Sequence, residues 1–170
     1  MKTVDQLNRR FKDFRILKGL ECDILPNGDL DMNPKLLGDL DFVIGSIHSR
    51  FDMTENEMTL RICKALSSKY LNILGHPTGR LLLSREGFKV DLNAVISAAR
   101  KHGKILELNA NPHRLDLDST WARRAKEAGL LLSINPDAHS TQGLEDVQYG
   151  IGTARRAGLS AKDVLNTRPL

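Results

Sequence analysis

Three histidines and two carboxylates sit at the ends of separate apolar runs. They are Glu21 in GLECD, His48 in SIHS, His76 in GHPTGR, and Asp137 with His139 in NPDAHS. Imidazole nitrogen and carboxylate oxygen together make the donor set of a borderline-to-hard divalent cation, suited to zinc, manganese or iron. One histidine after an apolar run is usually a hydrogen-bonded turn residue. A ligand-type side chain recurring at run end after run end, with Asp-x-His at the last, is explained by metal binding and not by packing. In Asp-x-His a turn lets both side chains face one ion or two neighbouring ions. Ions held this way acidify a water and clamp the oxygens of a phosphate ester, so the implied chemistry is metal-assisted hydrolysis. The catalytic water is then held on metal by Glu21, His48 and His76.

Other residues near these ends could grip a phosphate. Arg80 follows His76 in a glycine-containing loop, where its planar guanidinium could take a phosphate bidentately. Asn109, His113 and Arg114 follow the fourth run in NANPHR. Asn109 has the alternative of satisfying loop backbone groups, and His113 stands open between lining a pocket and belonging to a loop. His102, in KHG, suits a helix C-terminus, where a partial cation meets the helix dipole. No Ser–His–Asp set, Walker loop or G-x-G-x-x-G is present, so serine nucleophile chemistry and a nucleotide cradle have no support. Cys22 and Cys63 are the only cysteines, which excludes a disulfide framework and a thiolate zinc cluster.

Bringing such scattered residues together requires particular elements. Five short apolar runs, at 14–23, 41–48, 70–76, 104–109 and 130–135, have the length and Val/Ile/Leu content of buried strands. Helical patterns separate them. Thr54 with Glu57 is a capping box ahead of Met58, Ile62 and Leu66. Asp91 caps a helix over 92–102, and Asp118 or Ser119 opens one that stops at Gly129. Leu144, Val147, Ile151 and Ala154 mark another, and a first helix covers 4–11. Strand and helix alternate, and positions 21, 48, 76, 107 and 137 fall 27, 28, 31 and 30 residues apart. This predicts parallel βα units whose C-terminal strand ends share one rim. Cys22 is expected on the opposite strand face from Glu21. A closed eight-stranded barrel needs about 200–250 residues, so five units predict an open, incomplete barrel in one domain over 1–170.

Composition sets outer bounds. The chain has 170 residues, 41% hydrophobic and 27% charged, as in an ordinary globular protein. The net charge is +4 with the basic residues dispersed, and aromatics at 5% argue against stacking platforms for single-stranded nucleic acid. No stretch is long and apolar enough for a membrane helix, and the polar opening MKTVDQLNRR lacks a signal-peptide pattern. The reading is a cytoplasmic protein with no membrane partner.

The runs GLECDILPNGDLD, DFVIGSIHSRF, NILGHPTGRLLL, ELNANPHRLDLD, INPDAHS, GIGTARR and DVLNTRPL resemble the polymerase-and-histidinol-phosphatase (PHP) domain. The version they resemble is the C-terminal module of bacterial family X DNA polymerases, and the likeness runs over essentially the whole chain. It implies a distorted (β/α)7 barrel with a three-metal site that hydrolyses phosphoesters. It also implies a 3′–5′ exonuclease acting on DNA 3′ ends in repair, with zinc or manganese as the metal and iron or magnesium as alternatives. Glu21, His48, His76, Asp137 and His139 match family ligands. The family's opening His-x-His strand end, its Ser-Asp-Gly turn and its second strand have no counterpart here, nor has a polymerase domain. The resemblance therefore implies a partial PHP domain lacking two strands and about four of nine ligands. Two alternatives follow: a catalytically impaired remnant that binds a metal or a partner, and a histidinol-phosphatase-like hydrolase. Unpaired edges at the first and last remaining strands, and an uncovered interior, imply a homodimer or other oligomer completing the barrel.

Overall fold

The computed structural model describes residues 2–169. Five strands, β1 (Gly19–Asp23), β2 (Phe42–Ser46), β3 (Ile73–Leu74), β4 (Ile105–Asn109) and β5 (Leu132–Asn135), pair in parallel in chain order. Helix α1 (Lys2–Asn8) precedes them. Helices α2 (Pro34–Gly38), α3 (Glu55–Leu66), α4 (Leu92–Lys101) and α5 (Ser119–Glu127) fill the four crossovers, and α6 (Val147–Arg156) follows β5. Neighbours in sequence are neighbours in the sheet, as in a βα barrel, and the sheet does not close. It is an open partial barrel of five parallel strands.

Helices α2, α3, α4 and α5 start where side chains satisfy their first N–H groups. Thr54 and Glu57 form the reciprocal capping box of α3, Asp91 caps α4 and Asp118 caps α5. Helix α2 is not visible in the apolar periodicity. Its five residues begin with Asn33 as cap and Pro34 as first residue, a local signal within a polar stretch.

Alternation along the strands divides the sheet into two layers. Leu74, Leu106, Leu108 and Leu132 face the helices and join Ile62, Leu66, Val95 and Ala99 in one buried cluster. The register pairs Glu21 with Ile44, Glu107 with Ser133 and Asn109 with Asn135. These residues belong to the other layer, which would be the inside of a closed barrel. That layer is polar toward the strand C-termini, so what the open barrel leaves uncovered there is not an apolar core.

The edge of β5 is also not bare, in contrast to the edge expected from the sequence. Val164 bridges Leu132 in parallel. The Asn166 side chain then imitates a strand, accepting from the Ile134 N–H at 2.8 Å and donating to the Ile134 carbonyl at 3.0 Å. Val164 and Asn166 thus have a structural task at this edge.

One buried cation ties the rim together. Arg61, on α3, is 2% exposed, and it donates to the carbonyls of Ile24, Leu25 at 2.9 Å and Ser49 at 3.0 Å, and to the Met53 sulfur at 3.5 Å. It therefore joins the loop after β1 to the loop after β2, the two loops that follow Glu21 and precede α3. Burial pushes its pKa down, opposed by the charge of Asp23, and the surrounding carbonyl dipoles help to offset the cost of burying it. Arg61→Leu removes every one of these donors and is expected to cost about 3 kcal/mol. Thermal unfolding followed by circular dichroism should show this as a midpoint about 10 °C lower, with partial recovery in Arg61→Lys.

Candidate metal centre

Glu21 and Asp23 lie two residues apart on β1, so their side chains share the inner face while Cys22 is buried on the other. His48 follows β2, and His76 follows β3 after a single glycine. Gly75 has to be small, because a Cβ there would lie 2.3 Å from the Ser46 hydroxyl and 2.8 Å from an Ile44 methyl. His76 has φ 24°, outside the usual range for a non-glycine residue. Its backbone is held there by buried carboxylates. Glu107, on β4, accepts the His76 N–H at 2.7 Å. Asp116 accepts the Thr78 and Gly79 N–H groups, both at 2.9 Å.

Three of the five predicted ligands converge. Glu21, His48 and His76 each offer a ligand atom, and these atoms lie within 4.8 Å of one another. Glu21 Oε1 is 3.0 Å from His76 Nε2 and 3.5 Å from His48 Nε2. Two ligands of a tetrahedral zinc ion, bonded at 2.0–2.2 Å, stand about 3.4 Å apart. Two edges of such a tetrahedron are already in place, and the donors are of the right kind, so the residues fit a divalent cation. The two imidazole rings meet edge to face, with centroids 5.1 Å apart.

Asp23 completes this group from behind. Its Oδ1 lies 2.5 Å from His48 Nδ1, so His48 has carboxylate oxygens facing both nitrogens. Without a metal this favours the imidazolium: the Glu21 hydrogen bond, with Asp23 adding to it and burial opposing it, raises the His48 pKa to about 9. Hydrogen bonds from His48 and then His76 hold the Glu21 carboxyl well below the usual carboxylate range. With a cation on Nε2, the Asp23–His48 contact becomes the carboxylate–histidine support that orients a metal-bound imidazole.

The other two predicted ligands stay apart from this group. Asp137, at φ 54°, accepts from Asn109 Nδ2 at 3.3 Å and pairs with Arg114 Nε at 3.6 Å. The His139 side chain is 87% exposed, and its Nδ1 lies 2.9 Å from the Asp137 carbonyl. A carbonyl only accepts, so that nitrogen carries the proton and Nε2 is the one free to bind.

The phosphate candidates divide similarly. Arg80 gives its guanidinium to the carbonyls of Arg114 and Leu115, with Asp118 at 3.8 Å. Asn109 is buried between Glu107 and Asp137 and also accepts the Asn111 N–H. His113 is exposed, and its carbonyl accepts from the Leu82 N–H. Arg114 faces Asp137, and its NH1 is buried without a partner.

Asp23, Glu107 and Asp116 were not among the expected site residues. Alternation would have found two of them. Asp23 stands two residues after Glu21, and Glu107 two before Asn109, each on a strand whose intervening residue faces the core. Asp116 lies in a loop, and no spacing marks it. Burial raises the pKa of Glu107 and of Asp116, and the N–H groups they receive oppose that.

The sequence and fold have clear relatives. The chain is 46% identical over 169 residues to the DNA polymerase/3′–5′ exonuclease PolX of Bacillus subtilis, across 99% of this chain and 30% of that protein. It is 28% identical over 171 residues to a probable phosphatase of Thermoanaerobacter, across 95% of this chain and 67% of that protein. A probable phosphatase of Acetivibrio thermocellus is 32% identical over 133 residues, across 74% of this chain and 53% of its own length. The fold is similar to the crystal structure of histidinol phosphate phosphatase from Lactococcus lactis complexed with zinc, L-histidinol and phosphate. That likeness has a TM-score of 0.59 and 17% identity, over 94% of this chain and 73% of the other. No family model matches the chain. No helix among the described residues is long and apolar enough to cross a membrane.

The raised His48 pKa fixes a sign. Without metal, the His48 contribution to stability is complete below the ordinary histidine pKa of about 6.5 and is lost as pH rises through about 9. A divalent cation must displace that proton. At pH 7.5, zinc binding should therefore release about one proton to the buffer. Calorimetric titration in buffers of different ionisation enthalpy measures it, and Asp23→Asn should reduce the number released.

Proposed function

We propose that this chain, which belongs to the PHP family, is a metal-dependent phosphoesterase. The observation that carries the reading is the convergence of Glu21, His48 and His76 within 4.8 Å at the C-terminal rim of a parallel sheet. A divalent cation held there would act as a Lewis acid on phosphate oxygens and acidify an attacking water. The chain's own residues do the rest. Glu21 and the two imidazoles hold the cation, Asp23 fixes the His48 ring, and Glu107 and Asp116 hold the turn that carries His76. Arg114, whose NH1 has no partner, is the cation best placed for a phosphate that reaches the Asp137 side.

For the substrate we favour a DNA 3′ end, with the chain acting as a 3′–5′ exonuclease module. What supports this is the 46% identity to a protein named polymerase and 3′–5′ exonuclease. The chain spans 30% of that relative, so its other activities carry no weight here. A second reading, a metal-binding module with weak turnover, is favoured by one observation: Asp137 and His139 stand outside the three-residue group. Zinc and manganese are the candidate metals.

Protein dialysed against zinc or manganese should carry at least one metal ion per chain by elemental analysis. His48→Ala combined with His76→Ala should empty that site and abolish manganese-dependent shortening of a 5′-labelled oligonucleotide. A wild-type chain that takes up no stoichiometric metal would defeat the proposal. Stoichiometric metal without hydrolysis of the oligonucleotide or of bis-p-nitrophenyl phosphate would leave the second reading.

A further inference from the structure

The carboxyl group of Glu107 lies beneath the rim at 3% exposure, and everything that reaches it is an N–H donor. Oε2 accepts the His76 backbone N–H at 2.7 Å and Asn109 Nδ2 at 3.2 Å. Oε1 accepts Asn135 Nδ2 at 2.8 Å. The same Asn109 amide nitrogen is 3.3 Å from Asp137 Oδ2. One carboxylate and one amide thus connect the backbone of His76, in the three-residue group, to the side chain of Asp137, in the other half of the rim.

We infer that Glu107 is a positioning residue that sets the metal affinity of the Glu21–His48–His76 group by fixing His76, and that it orients Asp137 through Asn109. It is not itself a ligand, since both of its oxygens are directed at N–H groups and it lies outside the converging set. The need for such a residue follows from the backbone. Strand β3 pairs with its neighbours over only two residues, so the ladder no longer orients the chain at His76. At φ 24° nothing intrinsic to a histidine favours that conformation. The peptide N–H held by Glu107 fixes the direction of the His76 Cα–Cβ bond, and with it the position of Nε2 beside Glu21. Supporting groups of this kind typically alter metal affinity by about 10- to 100-fold.

The inference rests on the metal-dependent reading, and the experiment separates the two. Metal-free wild type, Glu107→Gln and Glu107→Asp are titrated calorimetrically with zinc. The absorption spectra of their cobalt-substituted forms are then recorded. Gln keeps the shape but places an NH2 among donors; Asp keeps the acceptors but withdraws them by one methylene. We expect each variant to bind zinc about 10- to 100-fold more weakly, with a changed cobalt ligand-field spectrum and a native far-ultraviolet circular dichroism spectrum.

Ser133→Ala serves as the structural comparison. It removes a buried hydroxyl that accepts from Asn135 at 2.7 Å in the same layer. It should lower the thermal midpoint and leave zinc affinity and the cobalt spectrum unchanged. If one Glu107 variant fails to fold, the other decides. Wild-type affinity and spectrum in the folded variants overturn the inference while leaving the metal centre standing. A wild type that binds no zinc overturns the metal reading and this inference with it.

Discussion

The N–H groups of His76, Thr78 and Gly79 leave the sheet at a point where no neighbouring strand can receive them, and a buried N–H must be satisfied. Two buried carboxylates take them instead: Glu107 from β4, and Asp116 from the loop beyond it. Most of the rim depends on this substitution of side chain for strand. It lets β3 stop after two paired residues, turns the chain through a left-handed residue, and delivers an imidazole to the inner face. Gly75 and Gly79 make room for the turn. A Cβ on Gly79, itself at φ 63°, would lie 2.5 Å from the Phe88 ring.

Placing carboxylates under a metal-binding rim has an electrostatic logic. Burial alone penalises each of them, and neutral N–H donors only partly offset the cost. A cation held at Glu21, His48 and His76 is the natural counter-charge for this layer. Without one, His48 supplies part of it as an imidazolium between Glu21 and Asp23. On the other face, Arg61 is handled in the reverse sense, a buried cation surrounded by carbonyl oxygens. The rim loops after β1, β2, β3 and β4 are thus each fixed by a charged side chain from another segment bonding to their backbone. Capping side chains at Asn33, Thr54, Asp91 and Asp118 fix the starts of α2 to α5 in turn.

The two halves of the site differ in how they are held. Glu21, Asp23, His48 and His76 come from adjacent strands, and they are organised by their mutual contacts together with the Glu107 and Asp116 carboxylates beneath the His76 turn. Asp137 is held by Asn109 and Arg114, and His139 projects into solvent at 87% exposure. An ion at that half would have fewer ligands from this chain than one at the first half. The weak-turnover reading draws its force from that asymmetry.

What the sequence determined on its own was whatever local pattern encodes. Caps at Thr54, Asp91 and Asp118 announce their helices because the capping hydrogen bonds span only two or three residues. Apolar runs announce the strands, and the regular spacing of their ends announces a shared rim. From that rim Glu21, His48 and His76 could be grouped before any contact was known. Asp23 and Glu107 were also within reach, since strand alternation puts each on the same face as a residue already singled out.

Only the tertiary structure decided what depends on long-range pairing. It showed that Asp116, distant in sequence, holds the turn after His76. It showed that Arg80 serves the backbone of 114 and 115, that Asn166 closes the edge of β5, and that Asp137 and His139 stand apart from the other ligands. No periodicity carries such information. A side chain's partner across the fold is fixed by loop paths and backbone dihedrals, and these follow from the packing of the whole domain.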